Sequence, residues 1–447
     1  MVSTADNRIV AQPALTICSG CGLASQLHEA FQNEPNSIRK FCPPCWKRRE
    51  QANERIYLLT YVCLGALGIV LAAMNSKWGF LLLTFFLFHV FGILGTIPHE
   101  LGHALSARAL NLHVFQVVVG VGKKLFECRI LGVLVEFRTI PYGGYTLALP
   151  LDAQHFRGRH FIYALAGPVA NLFVALIILG VVGWDRIADF RPHEKISPWS
   201  LLFATNVLIF LSNLVPRAYP SATGWTVSDG LHLMRALRMT DDEIRHLRAT
   251  CFAMQWTAAR QNGDTRSAVE CLNRGLKEFP EERTLLTNYA INLLEAERFE
   301  EARVLFKQLL HDSDADDLAT RALLMNDVAY VDALIGTKET LDEADEYSDG
   351  ALKILPWSAP VKGTRGAVFV QRGQLIDGIA LLQHSLEESE ERWRRSQHAC
   401  LLAIAEARRA NHAGAIKHLH LARELQPDCF LLKRVERSIN ETRNQAA

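Results

Sequence analysis

The chain has a long apolar middle between two polar flanks. Residues 56–216 carry four apolar runs, roughly Ile56–Met74, Trp78–Pro98, Phe161–Trp184 and Pro198–Pro216. The second, WGFLLLTFFLFHVFGILGTIP, has 21 residues and no charge, long enough to cross a bilayer as a helix. Between the second and third runs the pattern changes. Residues 114–149 are rich in Val, Phe and Ile and are punctuated by Gly120, Gly122, Gly132, Gly143 and Gly144, which predicts a small β element. If it dips into the membrane, its irregular backbone must be buried in protein or line a cavity.

From Asp241 onward the pattern predicts charged amphipathic helices. Similar units recur at 263–272, 297–306, 339–348, 373–382 and 411–420. Aligning Ala268, Ala302, Ala344 and Gly378 gives steps of 34, 42 and 34 residues, and Pro280, Pro356 and Pro427 close several units. A period near 34, with a small residue where two helices cross, resembles tetratricopeptide repeats. The resemblance implies a concave face for a peptide or protein. The expected fold is mainly α: a polytopic helical membrane core of about four transmembrane helices with a membrane-associated β element, followed by an α-solenoid. The expected boundaries are 1–55, 56–240 and 241–447.

Cysteine spacing changes the picture of the N-terminal flank. Cys18 and Cys21 form one C-x2-C pair, Cys42 and Cys45 a second, and the other six of the ten cysteines are scattered. Four thiolates at this spacing can close a tetrahedral zinc site and staple a segment too short for its own core. Four protein ligands leave no open position, so the expected role is structural. A redox sensor built on the same thiols is an alternative reading.

Charge is balanced, with 48 Lys and Arg against 47 Asp and Glu, which gives no reason to expect a nucleic-acid partner. Its distribution says more. Lys40, Lys47, Arg48, Arg49 and Arg55 precede the first run, and seven Lys and Arg residues lie between 108 and 160. By the positive-inside bias, the expectation is a multi-pass membrane protein with both termini cytoplasmic.

The candidate chemistry lies where the second run ends. His99-Glu100-Leu101-Gly102-His103 follows directly. A helix continuing through Ala109 puts the two imidazoles one turn apart on one face, where they can grip a single zinc ion, with Glu100 beside them as general base. Ionisable groups at membrane depth are expensive and usually functional. A catalytic zinc needs a third protein ligand, and Asp229 is the candidate, because the chain returns to the same membrane face after the fourth run. Gly230 would allow a tight turn there. His89 and Asn171 are read as packing residues.

HELGHALSARAL (99–110), PYGGY (141–145), AGPVAN (166–171), and Asn213-Leu-Val-Pro216 followed by Asp229-Gly230 occur in that order. Together they resemble the site-2 protease family of intramembrane zinc metalloproteases, over residues 79–238. The resemblance implies zinc on His99, His103 and Asp229, and Glu100 as the catalytic base. It places Asn213 close to the substrate or the active site, and Gly143 and Gly144 in the β element that is thought to hold the substrate strand. RAYPSATGWTVS (217–228) lengthens the stretch before Asp229 beyond the family's habit and is a candidate lid. The expected function is an intramembrane endopeptidase, with one catalytic and one structural zinc, that cuts a membrane-anchored protein while its repeats recruit substrate or regulator. The rival expectation is an inactive membrane scaffold that binds proteins through the repeats.

Overall fold

The computed structural model describes residues 15–33, 38–130, 133–221 and 224–446. The chain divides into two compact units. One is Lys47–Met254; the other joins Met1–Trp46 to Gln255–Ala447.

The N-terminal segment starts as two tiny antiparallel pairs: β1 (Thr16–Ile17) with β2 (Ala24–Ser25), and β3 (Gln32–Asn33) with β4 (Lys40–Phe41). Strands of two residues do not stand alone. These surround a small core of Cys18, Phe31, Phe41 and Cys42. Helix α1 (Pro43–Ala73) opens with Pro43 and carries Cys45 in its first turn. Proline is well tolerated there because its missing N–H would have no helical partner.

The membrane unit follows. A turn through Asn75, in the left-handed region at φ 56°, leads to α2 (Lys77–Ala109). Its 33 residues span about 50 Å. Then come β5 (Leu112–Ile130) and β6 (Val133–Pro150). Val117 pairs with both Thr146 and Val135, and Val118 with both Tyr145 and Glu136. The middle of β5 is therefore flanked on both sides by parts of β6. This double flanking buries Val117, Val118 and Val119, and Val117 and Val119 pack with Ala104 of α2. Leu131 and Gly132, between the strands, lie outside the described residues.

Next come α3 (Phe156–Val182), the short α4 (Trp184–Ala188) and α5 (Pro198–Leu214). A hairpin, β7 (Ala218–Ser221) with β8 (Gly224–Val227), leads to α6 (Asp229–Ala236). Among the described residues, α1, α2 and α3 are long and apolar enough to cross a membrane; α5, at 17 residues, is shorter.

Helix α7 (Asp241–Gln261) leads into the repeats. They comprise α8 (Thr265–Glu278), α9 (Arg283–Glu295), α10 (Phe299–His311), α11 (Leu318–Ile335), α12 (Lys338–Ile354), α13 (Ala359–Gln371), α14 (Leu375–Glu388), α15 (Arg392–Arg408), α16 (His412–Leu425) and a last helix, α17 (Leu432–Ala446). Consecutive helices pack as antiparallel hairpins, α9 with α10 through α15 with α16, a tetratricopeptide-like solenoid. The recurring sequence units from 297 onward each fall at the start of a hairpin's second helix, and the first, 263–272, falls at the start of α8. Ala268, Ala302, Ala344 and Gly378 are all buried, as close helix crossing requires. Pro280, Pro356 and Pro427 each stand just beyond a helix end, where the chain cannot continue helical.

The cysteine-rich segment is docked on these repeats. Leu27 enters the core formed by Ala322, Ala351, Ile354, Leu355 and Val361. Ser25 donates its hydroxyl to the Ile354 carbonyl at 2.6 Å. Phe31 meets Trp357 edge-on, with ring centroids 5.6 Å apart.

Candidate active site

Helix α2 presents His99, Glu100 and His103 on its buried side, each no more than 6% exposed. Helix α6 brings Asp229 to them. His99 Nε2 lies 3.0 Å from Asp229 Oδ2, and His103 Nε2 lies 3.2 Å from Asp229 Oδ1. The three side chains offer donor atoms all within 4.8 Å of one another.

The other face of each imidazole fixes its tautomer. His99 Nδ1 is 2.8 Å from Asn171 Oδ1. Asn171 cannot present its amide nitrogen instead, because that nitrogen donates to the Gly95 carbonyl at 2.7 Å and to Asn206 Oδ1 at 2.9 Å. His103 Nδ1 is 2.7 Å from the Tyr163 carbonyl, an obligate acceptor. Both Nδ1 atoms are therefore donors, and in the neutral rings both Nε2 lone pairs face the Asp229 carboxylate. Acceptors facing acceptors in a buried site call for a cation between them. The donor set of two imidazoles and one carboxylate suits zinc, and partners on the far ring nitrogens are the usual support for such ligands.

Two glycines let the elements approach. A Cβ on Gly167 of α3 would stand 2.2 Å from His103 Nε2, and one on Gly144 of β6 would stand 2.8 Å from Glu100 Oε1 and 2.5 Å from the Val118 carbonyl. Gly230 serves close approach rather than a turn: it lies in α6, and a Cβ there would stand 2.1 Å from the Leu214 carbonyl. Ser228 caps α6, accepting from the Leu231 N–H, and its hydroxyl also reaches the Val215 carbonyl at 2.8 Å. These contacts close the base of the β7–β8 hairpin and set Asp229 at the start of α6. Within 217–228, Ala222 and Thr223 lie outside the described residues.

Electrostatics at Asp229 follow from these neighbours. Burial alone would raise its carboxyl; positive charge between it and His103 and His99, whether protons on Nε2 or a bound cation in their place, outweighs burial and holds it well below the usual carboxylate range. Burial lowers His232, one turn along α6.

The other residues singled out by the sequence have distinct surroundings. Gly143 takes φ 74° and has open space around it. Asn213 donates its amide to the Ile209 carbonyl, one turn back on α5. His89 packs between the Tyr61 and Phe85 rings. Asn171, expected to be a packing residue, instead orients His99. An amide in an otherwise apolar helix was the available signal. In the other unit, Cys18, Cys21, Cys42 and Cys45 form a second group able to hold a metal. Burial raises the Cys18 thiol, but N–H groups of Cys42, Gly20 and Cys21 outweigh it and bring the pKa to about 6. Burial pushes Cys42 up.

Residues 85–190 match the model of Peptidase family M50. The match stops short of Asp229, so the third ligand rests on geometry. A provisionally named zinc metalloprotease of Campylobacter jejuni is 30% identical over 148 residues, which cover 29% of this chain and 38% of that protein. A similarly named protein of Chlamydia pneumoniae is 28% identical over 131 residues, covering 24% and 21%. The chain thus spans well under half the length of these relatives. Among solved structures, PilW, a type IV pilus biogenesis factor, is 16% identical over 46% of this chain and 89% of that one, with a TM-score of 0.29. MamA of Desulfovibrio magneticus RS-1 is 17% identical over 40% and 94%, with a TM-score of 0.26. The motif on α2, its partners on α3 and the family match over the same segment agree: residues 85–190 correspond to a Peptidase family M50 domain, the site-2 protease kind.

Proposed function

We propose that this chain is an intramembrane zinc metalloendopeptidase that cuts a membrane-anchored protein in or near its transmembrane segment. The observation that carries the reading is the convergence of two tautomer-fixed imidazoles and one carboxylate beside the buried Glu100. His99, His103 and Asp229 would hold the catalytic zinc. When bound, zinc supplies Lewis acidity to the scissile carbonyl and makes the attacking water acidic enough to be activated near neutral pH. Glu100 takes that water's proton and hands it to the leaving nitrogen. Asn171 and the Tyr163 carbonyl keep both imidazoles turned the right way throughout.

A substrate helix hides its carbonyls in internal hydrogen bonds and must unwind before it is cut. The stretch of β6 at Gly143 and Gly144 would pair with the extended substrate by strand addition, with Asn213 close to the bound chain. The β7–β8 hairpin is a candidate cover. The four cysteines would hold a second, structural zinc, and the repeats would recruit substrate or regulator. The distribution of Lys and Arg favours both flanks on the cytoplasmic side.

Zinc per chain, measured on detergent-purified protein, tests the metal. His99→Ala should lose one ion of two, and an unchanged content would sink the reading. Glu100→Gln should keep zinc and abolish turnover, whereas an inactive scaffold would tolerate that change without any functional loss.

A further inference from the structure

The sheet reaches the general base through one hydroxyl. Thr146 lies on β6, two residues beyond Gly144. Its Oγ1 is 2.9 Å from Glu100 Oε2 and 3.1 Å from the Glu100 backbone carbonyl. A hydroxyl has a single proton, and an ionised carboxylate is the stronger acceptor. The strand that carries Thr146 is itself tied to α3, because Tyr163 donates its hydroxyl to the Thr146 carbonyl. The Tyr163 carbonyl in turn accepts from His103. Base, sheet and metal ligand thus form one connected set. Opposite the carboxylate stands Gly144, which leaves just enough room for it. A glutamate side chain has three rotatable bonds, and proton transfer tolerates little displacement. Nothing in the sequence motif itself holds Glu100 in one rotamer.

We propose that Thr146 is a positioning residue for Glu100, and that its hydroxyl holds the carboxylate in the orientation needed to accept and return a proton. The inference rests on the protease reading above. A purely structural role would keep Thr146 in the sheet for its β-branched shape, and valine would serve equally well.

The test uses the full chain in detergent, with Thr146→Val, Thr146→Ser and Glu100→Gln. Three quantities are measured: zinc per chain, affinity for a peptidyl hydroxamate, and kcat and KM on fluorescein-labelled casein. The hydroxamate gives up its acidic proton to the base on binding, so its affinity reports the placement of Glu100 without turnover. Thr146→Val should keep its zinc, bind the hydroxamate about 10-fold more weakly and lose about 10- to 100-fold in kcat, with KM changed by about twofold at most. Thr146→Ser should restore affinity and kcat to about threefold of wild type. If Thr146→Val fails to fold, Thr146→Ala, which cannot overfill the site, takes its place. Wild-type hydroxamate affinity and kcat in the hydroxyl-free variant would overturn the proposal. So would a serine variant as impaired as the valine one. Failure of the underlying reading looks different: wild type itself would then lack the membrane zinc, or Glu100→Gln would turn over normally.

Discussion

Gly167→Ala puts two opposing effects on one residue. Alanine is ordinarily the better helix former by about 1 kcal/mol, but Gly167 precedes Pro168 within α3, and a proline ring disfavours a helical residue with a Cβ before it, so little of that gain is available here. The added Cβ, however, would stand 2.2 Å from His103 Nε2, 2.6 Å from Cδ2 and 2.7 Å from Cε1. An ordinary contact is no closer than 3.4 Å, so the methyl and the ring must separate by 3.4 − 2.2 = 1.2 Å. The imidazole has little freedom to give way, because its Nδ1 is held at 2.7 Å by the Tyr163 carbonyl on the same helix as the intruding methyl. Overpacking of this kind costs about 1–3 kcal/mol, which outweighs whatever propensity gain remains. Metal-ligand distances are good to about 0.2 Å, and a shift several times larger takes His103 out of range. The expected result is a folded protein, less stable by about 1–3 kcal/mol, whose zinc affinity has fallen by about 100-fold or more. Gly158→Ala in the same helix, with nothing within 4 Å of its new methyl, is the control and should retain full zinc. The assay is zinc content after dialysis against graded chelator, alongside thermal unfolding. If Gly167→Ala holds zinc as tightly as Gly158→Ala, the account of how α3 and α2 meet at the ligands is wrong.

Two further outcomes are expected in the other unit. Replacing Cys18 and Cys21 with serine should remove one zinc, leave the membrane site loaded, and speed hydrogen exchange in α12 and α13, where Leu27 and Phe31 dock; unchanged exchange there would mean that docking does not depend on the metal. Burial raises the Asp327 carboxyl to about 6, so its effect on stability is most favourable below its unfolded value near 3.8 and is lost as pH rises through about 6. Asp327→Asn should therefore stabilise the repeats at pH 7.5 by on the order of 1–3 kcal/mol, with the gain shrinking toward pH 4; a pH-independent difference between the two melting curves would refute this.

What could be read in the chain depended on how far apart the interacting residues are. His99 and His103 share one helical turn, and the cysteine pairs share short turns, so spacing alone put each on one face. The solenoid announced itself by repetition. Asp229 is 126 residues beyond His103, and no local pattern links them; family resemblance suggested the pair, and geometry brings it together. Asn171 and Thr146 were harder. Each acts through a single polar atom contributed by an element whose pattern says only apolar helix or strand, and the partner becomes visible once α3 and β6 are folded against α2. The pairing of β5 with two separate parts of β6 was likewise hidden, because alternation gives the faces of a strand but not its neighbours.

The docking of the cysteine-rich segment on the repeats imposes a rule of parity. Residues that precede the membrane core and residues that follow it share one folded body, knit by Leu27, Ser25 and Phe31. Such a body cannot straddle a bilayer. The polypeptide would then cross an even number of times between them, whereas the helices long and apolar enough to cross among the described residues, α1, α2 and α3, number three. The balance falls on α5, whose 17 residues reach only about 25 Å, short of a hydrocarbon core of about 30 Å. If α5 supplies the fourth crossing, a bilayer locally thinned around it would match its length. Because Asn206 of that helix holds the amide of Asn171, such thinning would give water and an unwinding substrate their shortest route through the membrane beside His99 and the other proposed metal ligands.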